Sequence, residues 1–372
     1  MRENAMTGII FSNMHDERLG ALTSGRTFAS VPFGGRYRLV DFTLSNMSNF
    51  GMEQIGIITK HNYRSLVNHI GSGRAWDMNR KHGGIRVISP YGRVEHGVYH
   101  DRLEALYGAR DFLSAQSAKY VMLSDCNTVS NLDISDMLSQ HIKNGADITM
   151  AYKRMPLRED ERQSACTLIL DDDGFMRNYF HNPAGNAEYD VDLKIWIMEK
   201  GLLEKLIDDG QSKGYTSFSR QVLRDHFDRL NIFGYEAKGF VYKIMSFEGY
   251  YKANMALLSG GLNELFCEKR PVCTKVYDDS PVIYGKNSEV TDSLVADGCE
   301  IYGKVKRSII FRNVIVEEGA EITDSIIMPN SCICTGASLY SVVTDKDVTV
   351  RGGRMLSGDN DYPLYIKKGR TV

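Results

Sequence analysis

Residues Val31–Asn46 read VPFGGRYRLVDFTLSN. Pro-Phe-Gly-Gly is a turn composition. From Asp41, an N-cap residue type, the apolar residues Leu44, Met47 and Phe50 follow at helical spacing. Upstream lie a short apolar run, Gly8-Ile9-Ile10-Phe11, and a polar loop, Ser12–Leu22. The order is therefore strand, loop, turn, helix. Open α/β sheets bind ligands beyond the carboxyl ends of their strands, so the 12–22 loop lies where a nucleotide would be held.

Working outward, strands are expected at Thr7–Phe11, Gln54–Thr59, Arg86–Ser89, Tyr120–Leu123 and Ile148–Tyr152. Between them Asp41–Phe50, Tyr63–Ile70, Arg102–Ala115 and Ile134–Lys143 carry apolar residues three or four apart. This alternation predicts an α/β domain with a mixed, mostly parallel, Rossmann-like sheet. Further strands fall in 167–198, with Asp171-Asp-Asp-Gly174 as a turn, and helices at about 199–209, 217–230 and 247–260.

After Pro281 the pattern changes. Ser288-Glu-Val-Thr-Asp-Ser-Leu-Val295 and Ala320-Glu-Ile-Thr-Asp-Ser-Ile-Ile327 are nearly the same octet. Related units, a small residue, an aliphatic, then Ser and two aliphatics, recur at Cys299–Ile310 and Ala337–Val343. Short β-branched repeats without helical period predict a C-terminal parallel β-helix. Its flat, stackable faces suit assembly or regulation. The expected division is residues 1–265 and 266–372.

Composition narrows the function classes. The chain has 372 residues, 42% apolar and 25% charged, with a formal net charge of −2. That balance gives no electrostatic case for nucleic acid or an anionic membrane. No apolar run approaches a membrane span. Without a signal-peptide pattern, and with seven scattered cysteines, the expected location is cytoplasmic. Cys332-Ile333-Cys334 is not a CxxC pair and lacks a second paired motif, which argues against a zinc or redox role.

The two halves together resemble the glucose-1-phosphate adenylyltransferase (ADP-glucose pyrophosphorylase) family. The matching pieces are Val31–Phe42, Ser65-Leu66 with His69-Ile70, Gly71-Ser-Gly73 with Trp76-Asp77, and Gly249-Tyr-Tyr-Lys-Ala-Asn254. The resemblance implies a nucleotidyltransferase domain followed by a left-handed β-helix.

The departures from that family are concentrated at its chemistry. Where active members carry a GGxGxRL loop, whose glycines let backbone N–H groups approach the triphosphate, this chain has Asn13-Met-His-Asp-Glu-Arg-Leu19. Only Arg18 and Leu19 survive. Asn13, Met14 and Asp16 take the glycine positions, and a carboxylate about 4 Å from a phosphate charge costs on the order of 4 kcal/mol. The phosphate-facing Lys becomes Phe28. The GTADA-like segment becomes Asp101-Arg-Leu-Glu-Ala105. The sugar-gripping Glu and Lys of FxEKP become His181 and Asn182. Of the two acidic residues that hold Mg²⁺ in active members, the first matches Asp125 and the second has become Lys243, whose ammonium repels a cation.

This pattern resembles the regulatory, GlgD-type branch of the family. It implies no intact catalytic centre, with Arg18 and Asp125 as remnants, no cofactor, and a catalytic GlgC-type partner in a heterotetramer. Arg26, Arg36 and Arg38 around the Pro-Phe-Gly-Gly turn are candidates for a phosphorylated effector. Two alternatives stand beside this reading. One is an active sugar nucleotidyltransferase using Mg²⁺ with Lys243 replacing one metal charge. The other is a stand-alone sugar-phosphate sensor. Lys60-His61-Asn62 reads as a solvated loop and Tyr250-Tyr251 as core.

Overall fold

The computed structural model describes residues 5–81, 83–89, 99–185 and 188–372. A nine-stranded mixed sheet forms the first half. Its parallel centre runs Tyr120–Asp125, Met6–Phe11, Gln54–Ile58, Gly84–Ile88. Phe11 pairs with both Asp125 and Ile58, so these carboxyl ends are level and their loops emerge side by side. The long strand Glu188–Glu199 lies antiparallel beside Tyr120–Asp125, and its pairing with Ile148–Pro156 is interrupted between Asp192 and Trp196. At that irregularity the Asp192 and Lys194 side chains meet, 2.9 Å apart.

Of the expected boundaries that shift, two bear on the site. The first helix spans Leu39–Phe50 with Arg38 as its N-cap residue. Asp41 is one turn inside, where its carboxylate accepts the Arg38 backbone N–H at 2.9 Å and meets His69 Nε2 at 2.6 Å. The 102–115 segment is two helices, Arg102–Gly108 and Arg110–Ser114, parted at Ala109, whose backbone leaves the helical range.

The second half is a parallel β-helix of three five-stranded sheets. One inward column pairs Val290, Val305, Ile322, Leu339 and Leu356, and along it the coils advance by 15 residues once and by 17 thereafter. The two near-identical octets therefore lie two coils apart. The repeated serine has a structural use: Ser293, Ser308 and Ser325 hydroxyls each accept the backbone N–H one coil on, from Ser308, Ser325 and Val342, at 3.0–3.1 Å.

The halves share one apolar core. Leu19, Phe28, Phe33, Phe42 and Tyr250 from the first pack with Ile309, Phe311, Ile326, Met328 and Val343 from the second. Pro32–Phe33 and Tyr37–Arg38 form a small antiparallel hairpin at this seam. Its turn glycines, Gly34 and Gly35, have φ of 59° and 83°, a backbone shape that side chains strain. A Cβ on Gly35 would stand 3.8 Å from Ile309 and the Ile310 carbonyl. The Gly249–Asn254 helix pins the hairpin: Asn254 Oδ1 accepts the Gly34 N–H at 2.9 Å, and the Tyr250 hydroxyl donates to the Pro32 carbonyl at 2.6 Å. Tyr251 donates to the Asp324 carbonyl of the β-helix at 2.6 Å. Among the described residues no helix is long and apolar enough to cross a membrane.

A buried ion pair also closes the seam. Arg26 Nη2 donates to both carboxylate oxygens of Asp345 at 2.7 Å, and both side chains are nearly excluded from water. Removing one partner strands a charge, whereas replacing both with apolar residues does not. Asp345→Ala should therefore cost roughly 3–5 kcal/mol in chemical denaturation. The double variant Arg26→Met/Asp345→Leu should recover most of that loss.

Candidate functional site

The loops at the carboxyl ends of Met6–Phe11 and Tyr120–Asp125 bring the family's chemical positions together. Asp125 ends its strand with its side chain 1% exposed. Arg102, at the start of its helix, donates from Nε to Asp125 Oδ1 at 3.1 Å and from Nη2 to Oδ2. His15 Nε2 meets the same Oδ2 at 2.7 Å. Since a carboxylate only accepts, Nε2 carries the proton. Burial alone would raise the Asp125 carboxyl, but Arg102 and His15 outweigh it and hold it well below the usual carboxylate range. Burial drives the His15 imidazole down to about 4 against the pull of Asp125, helped by Arg102 and Arg18.

Lys243 stands nearby, on a short strand paired with Thr128–Ser130. It is buried and donates to the Asp192 backbone carbonyl at 2.6 Å. Burial lowers its ammonium to about 8, although Asp192 and Asp125 both favour the charge. Asp192 is fully buried and holds Lys194 Nζ at 2.9 Å, the Tyr179 hydroxyl at 2.7 Å and the Trp196 ring N–H at 3.0 Å. Lys194 takes φ of 59°, a left-handed conformation costing a non-glycine residue about 1–2 kcal/mol, and its Nζ also donates to the Tyr179 hydroxyl.

These residues do not fit a Mg²⁺ ion. Both oxygens of the one remaining carboxylate are taken by Arg102 and His15, and an ammonium occupies the second position. Hard divalent cations need free oxygen ligands.

The other sequence candidates divide into three groups. Asn13 and Asp16 build their own loop. Asn13 Oδ1 accepts the Lys60 N–H at 2.9 Å, its amide donates to Asp16 at 2.5 Å and to the His61 carbonyl at 3.1 Å, and Asp16 accepts the Phe28 N–H at 2.7 Å. Burial raises the Asp16 carboxyl to about 6. Met14 packs on the neighbouring core, and Phe28 is 2% exposed within the shared one. The Arg18 guanidinium has no hydrogen-bond or ion-pair partner among the described residues, while burial lowers its pKa beside Arg102 and Asp125.

His181 and Asn182 line a cavity of about 490 Å³ with Tyr179, Arg220 and Arg224. His181 Nδ1 lies 3.2 Å from Cys166 Sγ. Burial would raise that thiol, but Lys194 and His181 together bring it to about 6.

The three arginines near the hairpin do not converge on one point. Arg26 binds Asp345, Arg36 pairs with Asp297 at 3.6 Å, and Arg38 Nη1 donates to the Ser65 carbonyl and hydroxyl at 2.8 and 2.9 Å. Arg26 lines a cavity of about 380 Å³ with Lys346, Lys367, Lys368 and Arg370. Arg36 and Arg38 line an adjoining one of about 190 Å³, and Lys346 borders both. Burial, with Arg38 and Arg26 close by, lowers the Lys346 ammonium to about 7.

Sequence reading missed Arg102, His15, Lys194 and the basic residues that the β-helix contributes. Lys194 left a signal: a lysine within the apolar run Val191–Met198, two residues from an aspartate.

The neutral buried His15 gives a pH signature. Unfolded, it takes a proton near its ordinary value of 6.5, whereas folded it resists until about 4. A depressed folded value means that stability is full above about 6.5 and is lost as pH falls toward 4. Urea unfolding at pH 7 and pH 4.5 should show His15→Gln losing roughly 2 kcal/mol less across that interval than the parent chain. Equal losses would mean that the folded imidazole is already charged.

Comparison with known proteins agrees with both halves. Residues 7–177 match the nucleotidyl transferase family model, and residues 275–362 match the GlmU-like C-terminal hexapeptide model, which is the left-handed type of parallel β-helix. The glycogen biosynthesis protein GlgD of Bacillus subtilis (strain 168) is 32% identical over 99% of this chain and 97% of its own length. The glucose-1-phosphate adenylyltransferases of Acetivibrio thermocellus and Bacillus cytotoxicus are 29% and 28% identical, over 97% and 95% of this chain and 85% and 95% of theirs. With a matching two-part fold and near full-length likeness to these proteins, the chain belongs to the glucose-1-phosphate adenylyltransferase family, on the side of GlgD.

Proposed function

We propose that the protein is a GlgD-type regulatory subunit in ADP-glucose and glycogen synthesis, without appreciable catalysis of its own. One observation carries this reading. The carboxylate that should meet the metal is neutralised from within by Arg102 and occupied by a hydrogen bond from His15, and Lys243 stands where the second acid belongs. A site whose charges are already paired offers nothing to the charge that develops on a transferring phosphoryl group. The retained fold then serves contact with a catalytic GlgC-type homologue, in a heterotetramer. Coupling between such subunits is typically ~1–3 kcal/mol, several-fold to ~100-fold in affinity. In this reading no Mg²⁺ is required.

The basic seam supports an effector role for the same subunit. Lys346, Lys368, Arg370, Arg26 and Arg38 line two cavities that share Lys346, with only Asp345 and Asp279 as acidic lining. That chemistry suits a phosphorylated sugar.

Pyrophosphate release from ATP, Mg²⁺ and glucose 1-phosphate should be negligible for the pure protein. It should rise above the catalytic homologue's own rate when the two are mixed, with co-elution as one complex. Turnover by the pure protein near the ~10 s⁻¹ common to enzymes would favour the active-enzyme alternative. Separate elution with unchanged kinetics would favour the lone sensor. Lys243→Asp alone should not restore turnover, because Arg102 and His15 still occupy Asp125.

A further inference from the structure

The β-helix carries a side-chain cluster that the regulatory reading does not use. Cys332 and Cys334 alternate with the fully buried Ile333, so their thiols lie together on the outer face of one coil. Glu317 sits on the preceding coil, aligned by its N–H bond to the Ile333 carbonyl at 2.9 Å. One ligand atom from each of the three lies within 4.8 Å of the others, and all three residues are half-buried.

The spacing matches a metal centre closely. Two thiolates bound at about 2.3 Å to one tetrahedral ion stand about 3.8 Å apart, and a thiolate and a carboxylate oxygen about 3.5 Å apart. Here the two Sγ atoms are 3.8 Å apart, and Cys332 Sγ is 3.9 Å from Glu317 Oε1. The carboxylate is also held ready. Its other oxygen accepts both the backbone N–H and the hydroxyl of Thr335 at 2.8 Å, leaving Oε1 turned toward the thiols. Support of this kind fixes a ligating carboxylate in most protein metal sites. The rigid coil beneath supplies all three groups from two neighbouring rungs, so little ordering is needed on binding.

We propose that Cys332, Cys334 and Glu317 form a binding site for a thiophilic divalent cation such as Zn²⁺, with its fourth position open to solvent. Binding replaces the two thiol protons, released to water, by the ion. A paired CxxC motif is unnecessary because the coil stack, rather than a knuckle in the chain, brings the third ligand in.

Co²⁺ added to the reduced full-length chain under argon is the test. One equivalent should produce a thiolate-to-cobalt charge-transfer band with tetrahedral visible bands, and Zn²⁺ should displace it. Cys332→Ser and Cys334→Ser should each weaken binding about 100-fold or more, and Glu317→Gln roughly tenfold, whereas Cys267→Ser should leave it unchanged. Mass-spectrometric mapping of alkylation needs no variant: Zn²⁺ should protect Cys332 and Cys334 together. Absence of the band at millimolar Co²⁺, its persistence in the Cys332→Ser/Cys334→Ser variant, or protection at other cysteines would overturn the site.

Discussion

The molecule hangs on a seven-residue hairpin trapped between two cores. Pro32–Arg38 lies with one side on the Leu39–Phe50 and Phe247–Ala256 helices and its turn against the β-helix wall. Gly34 and Gly35 give that turn its left-handed backbone, and a Cβ on Gly34 would crowd Leu257 at 3.1 Å. Once the hairpin is seated, Phe33, Phe42 and Tyr250 join Ile309, Phe311 and Ile326 in one apolar mass. The two halves then have no independent surfaces at the seam. The order Val31–Asn46 retains from the family is thus a packing requirement, which persists whether or not the neighbouring site does chemistry.

The site keeps the scaffold of the family's cleft while its charged groups meet one another. Its strands, loops and remaining carboxylate are in place, but the charges have been paired internally. Arg102 pairs the Asp125 charge and His15 hydrogen-bonds it, while Lys194 pairs with the Asp192 carboxylate and Lys243 donates to the Asp192 backbone carbonyl. A buried carboxylate needs partners of some kind, and side chains supply them permanently. Asn13 and Asp16 have likewise turned from phosphate-facing positions to hydrogen bonds that shape their own loop.

Much of this was legible in the sequence because it is local. The strand Met6–Phe11 announces itself as an apolar run, and the helices Leu39–Phe50 and Ile134–Lys143 and the β-helix by period. What escaped depends on distance along the chain. Arg102 and His15 reach Asp125 across 23 and 110 residues, and Arg26 reaches Asp345 across 319. The octets revealed a repeat, but the coil advance of 15 and then 17 residues could be read only from the register. Asp41 has cap chemistry at the wrong end of a turn, because its carboxylate reaches back to Arg38 while sharing His69.

The serine column has a mechanical consequence. Each inner serine is bonded to both neighbouring rungs, since the Ser308 hydroxyl takes the Ser325 N–H while the Ser308 backbone N–H goes to Ser293, so loss of one hydroxyl frees the rung after it and leaves the bond to the rung before it. A stack whose units touch only adjacent units melts by fraying inward from its free ends. Here one sheet lies along the seam for its whole length, from Leu294 through Ile309, Ile326 and Val343 to Tyr365, and the last coil is tied again by Tyr251 to Asn360 and Lys252 to Asp361. The β-helix is therefore a rod glued along one side, so the ends that would otherwise fray first are held by the other half, and the rod loosens only as the seam opens.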